Sequence, residues 1–109
     1  MANKMYILVR NEIIEKDLGH AILSVAHAAS AAGRNWGDQP EFEHWANESF
    51  RKVLCQVTDQ EFDKAKTYFE NGKDYQVMTE CALDDEEISI VFYPREEWPR
   101  FFSFLKLWR

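Results

Sequence analysis

The sequence predicts a three-layer α/β/α domain on a mixed four-stranded sheet, and three observations carry that expectation. Short runs rich in strand formers recur at residues 5–10, 51–57, 75–79 and 88–93. Stretches with helical period separate the first three runs, whereas only a short acidic turn separates the third from the fourth. The chain has 109 residues, 46% of them hydrophobic and including 8 Phe, 4 Trp and 4 Tyr, which is enough for one core and too little for two. One domain over residues 1–109 is therefore expected.

The first run, MYILVR, is almost continuously apolar, as in a strand covered on both faces. Asp17 is a candidate N-cap for a helix over residues 18–32, with Gly33 as its stop. At about 100° per residue, Leu18, Ile22, Val25, Ala29 and Ala32 form a stripe expected to face the sheet. Lys16, His20, Ser24, His27, Ala31 and Arg34 form the opposite side. Residues 34–40 carry turn chemistry, and residues 41–49 predict a short helix with Phe42 and Trp45 inward. After the second strand, Thr58-Asp-Gln-Glu61 reads as a capping box. The helix it opens lines up Phe62, Ala65 and Phe69 and is expected to end at Asn71-Gly72. Strands one to three, joined by helices, are expected to run parallel, with the fourth as an antiparallel neighbour of the third. Residues 94–109 predict a closing helix with Pro99 in its first turn and with Phe102, Leu105 and Trp108 or their neighbours buried.

Composition narrows the function. Thirteen Lys and Arg oppose 19 Asp and Glu, giving a net charge of −6. Nucleic-acid binding rests largely on neutralising phosphates, so an acidic domain needs a segregated basic patch for it, and no basic block is present. Cys55 and Cys81 are too few for a disulfide scaffold and lack metal spacing. No membrane span and no signal-peptide core are evident, so a cytoplasmic globular protein is expected. His20, His27 and His44 do not suit one zinc ion, because histidines seven apart on a helix stand about 10 Å from one another. The acidic run 84–87 reads as a solvated turn rather than a cation site.

Ligands on open α/β sheets gather beyond the carboxyl ends of the parallel strands. Here that edge collects residues 10–17, the first turn of the helix from residue 18, Thr58, and Thr79-Glu80-Cys81. The stripe from Lys16 through His20 and His27 to Arg34 is where this acidic chain concentrates basic groups. His20 or His27 is a candidate general base or phosphate contact, with Ser24 as hydrogen-bonding partner and Lys16 and Arg34 as substrate-binding cations. The bland alternative is the solvated side of an amphipathic helix. A Cys81–His20 nucleophile pair lacks supporting spacing, and acidic neighbours raise a thiol pKa. The segment WPRFFSFLKLW is more often core or dimer surface than a base-stacking platform.

Gly19-His-Ala-Ile-Leu-Ser-Val-Ala-His27-Ala-Ala29, after a YILVR first strand, resembles the type 2 peptidyl-tRNA hydrolase family. In that family the first strand leads into a helix reading Gly-Lys-x-x-x-Gln-x-x-His-Ala. The likeness continues through Trp45, Lys52-Val53, the capped helix from Thr58 and the closing Leu105-Lys106-Leu107. It implies a mixed four-stranded α/β/α fold, hydrolysis of the ester joining a peptide to the 3′ end of tRNA, no cofactor, and a homodimer. The family lysine position holds His20, the glutamine position holds Ser24, and the region of its Asp-Ala-Gly holds Thr79-Glu80-Cys81, with Glu80 in place of the aspartate. The resemblance thus implies His20 as the phosphate or carbonyl contact. His27 or Glu80 would orient or activate water, and Ser24 would hold the network together. Against tRNA as a partner stand the net charge of −6 and the acidic turn 84–87, which would repel a phosphate backbone. The alternative is a non-catalytic binding protein that kept the scaffold and lost the site.

Overall fold

A computed structural model describes residues 3–109. The apolar first run lies in β1 (Lys4–Arg10), followed by α1 (Asn11–Lys16), α2 (Leu18–Trp36) and α3 (Pro40–Asn47). Then come β2 (Arg51–Val57), α4 (Asp59–Lys66), β3 (Tyr75–Glu80) and β4 (Glu86–Phe92). Cys81–Leu83 forms a 3₁₀ turn between β3 and β4; a second, Arg100–Phe104, precedes β5 (Lys106–Leu107). The sheet order is β3-β4-β1-β2-β5, five strands where the sequence predicts four. β1 pairs parallel with β2, β4 is antiparallel to both β1 and β3, and β5 is antiparallel to β2. β1, β2 and β3 therefore share one direction, as expected, and their carboxyl ends lie at one edge.

Alternation along β1 divides the core. Tyr6 and Leu8 pack with Phe62, Ala65, Phe92, Phe102 and Leu105 beneath α4 and the C-terminal segment. Met5 and Ile7 pack with Ala28, Ala32, Trp36, Phe42 and Trp45 on the other face, and Val9 packs with Ile13 and Ala21. An irregularity opposite Met78 and Thr79 skips Ile88 in the pairing. A bulge of this kind reverses the alternation locally, so Ile88 joins Val9, Ile13 and Ala21 on the α2 side.

Four expectations need correction. First, α2 is turned by about 75° from the expected stripe, reckoned at 100° per residue. Its buried face is Ala21, Ser24, Ala28, Ala31, Ala32 and Trp36, while Leu18, Ile22 and Leu23 are exposed. Small side chains let the helix backbone approach the sheet closely, and the bulkier aliphatic row is left to one side. Second, α2 continues through Gly33. Glycine costs a helix interior about 1 kcal/mol, but continuation buries Trp36, whose indole N–H donates to the Gly72 carbonyl and whose ring packs edge-on against Tyr93. Third, α4 ends at Lys66, although Phe69 still packs on the core from the turn that follows. Fourth, the closing segment is a 3₁₀ turn and a short strand, not an α-helix. The i,i+3 spacing of Phe102 and Leu105 serves either helix type, and both residues are buried as expected. α1, a six-residue helix anchored by buried Ile13, has no counterpart in the sequence reading. No helix among the described residues is long and apolar enough to cross a membrane.

Candidate active site

The carboxyl edge is organised by Asp17, the single residue between α1 and α2. Its backbone N–H donates to the Ile13 carbonyl, closing α1, and its own carbonyl accepts from the Ala21 N–H, opening α2. With the backbone fixed from both sides, the two carboxylate oxygens are aimed separately. Oδ1 accepts the His20 backbone N–H at 3.1 Å, the N-cap bond the sequence predicts. Oδ2 lies 2.6 Å from His20 Nδ1. On the other side of the ring, Nε2 stands 4.0 Å from Glu80 Oε1 at the end of β3. Glu80 is itself fixed, because its Oε2 accepts the Ala82 N–H at 3.2 Å and faces Cys81 Sγ at 3.7 Å.

This carboxylate–imidazole–carboxylate row has a definite electrostatic sense. The hydrogen bond to Asp17 raises the His20 pKa above its ordinary 6.5; the fields of Asp17 and Glu80 add to this, and desolvation opposes it. The same bond holds the Asp17 carboxyl below its usual range. A carboxylate against Nδ1 keeps a proton on that nitrogen. The 4.0 Å between Nε2 and Glu80 exceeds a hydrogen bond, so Nε2 remains able to serve a third group. The His20 and Glu80 side chains are 32% and 18% exposed, sheltered yet within reach of a ligand.

Beside the row lies a network that turns on Arg10, at the end of β1. Its Nε meets Asp59 Oδ1 at 2.9 Å, Nη1 meets Glu86 Oε1 at 3.0 Å and the Glu87 carbonyl at 2.6 Å, and Nη2 meets Glu12 Oε2 at 3.1 Å. Lys16 Nζ reaches Glu86 Oε2 at 3.3 Å, and Lys66 Nζ reaches Glu87 Oε1 at 2.6 Å. Arg10 thereby holds both Asp59 and Glu86 below the ordinary carboxylate range. The acidic run is accordingly not one solvated turn. Asp84 and Asp85 form its exposed left-handed tip, whereas Glu86 and Glu87 belong to β4 and are matched by cations.

The sequence-predicted residues divide by position. His20 and Glu80 come together, and Lys16 stands at the same edge. Ser24 does not: it is 3% exposed, and its hydroxyl donates to the Ala21 carbonyl at 2.7 Å, turned toward the sheet with the rest of the buried face of α2. The rotation of α2 that buries its small residues carries Ser24 away from the histidines. His27 is exposed two turns beyond His20, about 10 Å along the axis, and Arg34 is exposed about 21 Å along it, at 1.5 Å per residue. Asp17 and Arg10 are functional residues that the cap and edge assignments alone do not single out. An acid at the N-cap with histidine three residues on is the spacing of a side-chain pair, and Arg10 is the one cation closing the apolar run 5–10. No group of three or more His, Cys, Asp or Glu among the described residues is arranged to hold a metal ion.

No curated protein matches the chain significantly. The sequence profile of the family Peptidyl-tRNA hydrolase PTH2 does, over residues 3–89. The match runs from the start of β1 into β4, so it takes in Asp17, His20, Glu80 and the Arg10 network and leaves out the aromatic C-terminal segment. Coverage of most of the chain, on a mixed sheet flanked by helices, establishes that the protein belongs to the peptidyl-tRNA hydrolase PTH2 family.

Proposed function

We propose that the protein hydrolyses the ester joining a peptide to the 3′ end of tRNA, using His20 and Glu80. The observation that carries this reading is their approach to 4.0 Å at the carboxyl edge, although they lie on α2 and β3 and are distant in sequence. In the resemblance these two residues stand for the family lysine and aspartate. Glu80 accepts a proton from water as the water oxygen attacks the ester carbonyl carbon, and the Nε2–H of protonated His20 donates to the carbonyl oxygen as it becomes an oxyanion. Collapse of that intermediate breaks the bond to the 3′ oxygen, which takes the proton from Glu80. The products are the free peptide acid and tRNA with a 3′-hydroxyl. Lys16 beside the site, with His27 and Arg34 along the exposed length of α2, contacts the tRNA backbone.

The test is release of labelled peptide from peptidyl-tRNA. His20→Ala and Glu80→Gln are each expected to lower turnover by about 10²-fold or more with thermal melting close to wild type. A folded wild type that releases no peptide removes the reading, and unchanged rates in both variants move the chemistry elsewhere. One observation favours the second reading, a binding protein that kept the scaffold: Arg10 and Lys16 are already engaged by carboxylates of the chain itself. That reading expects no release, with any tRNA retention independent of His20. The implied homodimer is supported by exposed Leu18, Ile22 and Leu23. Beside them, Ile22, Val25, Ala26, Ala29, Leu54 and Trp108 line an apolar groove of about 420 Å³, which a second copy would cover.

A further inference from the structure

We infer that Asp17 is a positioning residue for the reaction: it fixes the His20 ring and sustains its charge so that Nε2–H points at the reacting carbonyl. The inference rests on the hydrolase reading and deepens it. Its basis is the divided use of one carboxylate, Oδ1 on the His20 backbone at 3.1 Å and Oδ2 on the His20 ring at 2.6 Å. A capping aspartate needs only the first contact. The second orients the imidazole, and the backbone bonds Asp17 N–H to Ile13 and Ala21 N–H to Asp17 leave the carboxylate little freedom to swing away.

The charged groups around the ring are few. Asp17 comes from its own cap and Glu80 from the end of β3. Lys16 at the end of α1 acts on Asp17 and is engaged in turn by Glu86 of β4. Both groups that bear directly on His20 are carboxylates, and both favour the imidazolium. A free histidine is mostly neutral at pH 7, so an isolated His20 would be a poor replacement for a residue that is always charged. Asp17 supplies what such a replacement lacks. The ring is then an electrophile aimed by one carboxylate, beside a second carboxylate that handles the water.

Asp17→Asn and Asp17→Ser test this, because both keep an oxygen that caps the helix. Asparagine removes the charge but keeps the reach, and serine removes both. Nitrogen-15 NMR of histidine-labelled protein reports the His20 titration and tautomer without requiring activity. The expected result is a lower His20 titration point in both variants. In Asp17→Ser the proton of the neutral ring also moves from Nδ1 to Nε2. In the peptidyl-tRNA assay the alkaline limb of kcat shifts to lower pH, so the loss relative to wild type is greater at pH 8 than at pH 6, with KM little changed. An unchanged titration and tautomer in both variants overturns the inference. A folded wild type without peptide release sinks the hydrolase reading alone, and the NMR titration still decides what Asp17 does to His20.

Discussion

At the scale of single residues, the Asp17–His20 pair ties stability to pH with a predictable sign. His20 titrates above its ordinary 6.5 in the folded state. Its contribution is therefore complete below that value and is lost as pH rises through the folded pKa. Asp17 titrates below its ordinary 3.8, so its contribution is present above that value and is lost as pH falls. Together they favour the folded state most between roughly pH 4 and 6.5. Melting temperature measured from pH 6 to pH 9 is expected to fall more steeply in wild type than in His20→Gln, which has no proton to lose. Parallel curves would mean that the ring does not feel Asp17 in solution. Part of this was legible in the sequence, because an aspartate before a helix is a capping signal wherever it occurs. The ring contact was not, since it depends on a rotamer and on Glu80 arriving from a strand distant in sequence.

Among the elements, α2 shows where periodicity is sufficient and where it is not. The length of the segment, its cap and its alanine richness identify a helix, but apolar residues cover enough of the circumference to permit two different buried faces. The pattern favoured the larger side chains; packing chose the smaller ones, because Ala21, Ser24 and Ala28 allow close approach to the sheet. The same choice carried Ser24 out of the site and left Ile22 at 56% exposure. The two faces should respond differently to substitution. Ala28→Leu, at a fully buried position, is expected to cost about 1–3 kcal/mol through overpacking, read from chemical denaturation. Ile22→Glu is expected to leave the melting temperature near wild type and to abolish the proposed homodimer, seen for wild type but not for the variant in sedimentation analysis. If Ala28→Leu is neutral, the close approach of α2 to the sheet is wrong. If Ile22→Glu still dimerises, the groove beside Ile22 is not where a second copy docks. The C-terminal segment teaches the same lesson in milder form, since its buried residues were legible and its backbone conformation was not.

For the whole molecule, fold class and the relative directions of the four expected strands were readable because they follow from the sequence of element types, which local pattern largely determines; the order β3-β4-β1-β2-β5 and the fifth strand were not. Net charge alone is a poor guide to the field at this edge. A count of −6 treats every carboxylate as a source of repulsion, yet Glu86 and Glu87 in β4 are matched by Arg10, Lys16 and Lys66. Those cations stand beside the proposed site at the edge tRNA would approach, so chain carboxylates occupy positions that phosphate oxygens would otherwise take. Binding of tRNA should then proceed by exchange of partners, with fewer counterions released than a count of nearby lysines and arginines implies. Glu86→Gln removes one competitor from Arg10 and the carboxylate that Lys16 meets at 3.3 Å, and it lowers the net negative charge by one. Measured across a salt series, log K for tRNA should fall linearly with log salt in both proteins, since each phosphate contact contributes about −0.7 to −0.9 to the slope. Glu86→Gln is expected to bind more tightly at low salt and to steepen the slope by roughly one contact. Equal slopes with equal affinities would show that Lys16 and Arg10 meet no phosphate, and would leave the acidic edge as a structural clamp around a site approached from elsewhere.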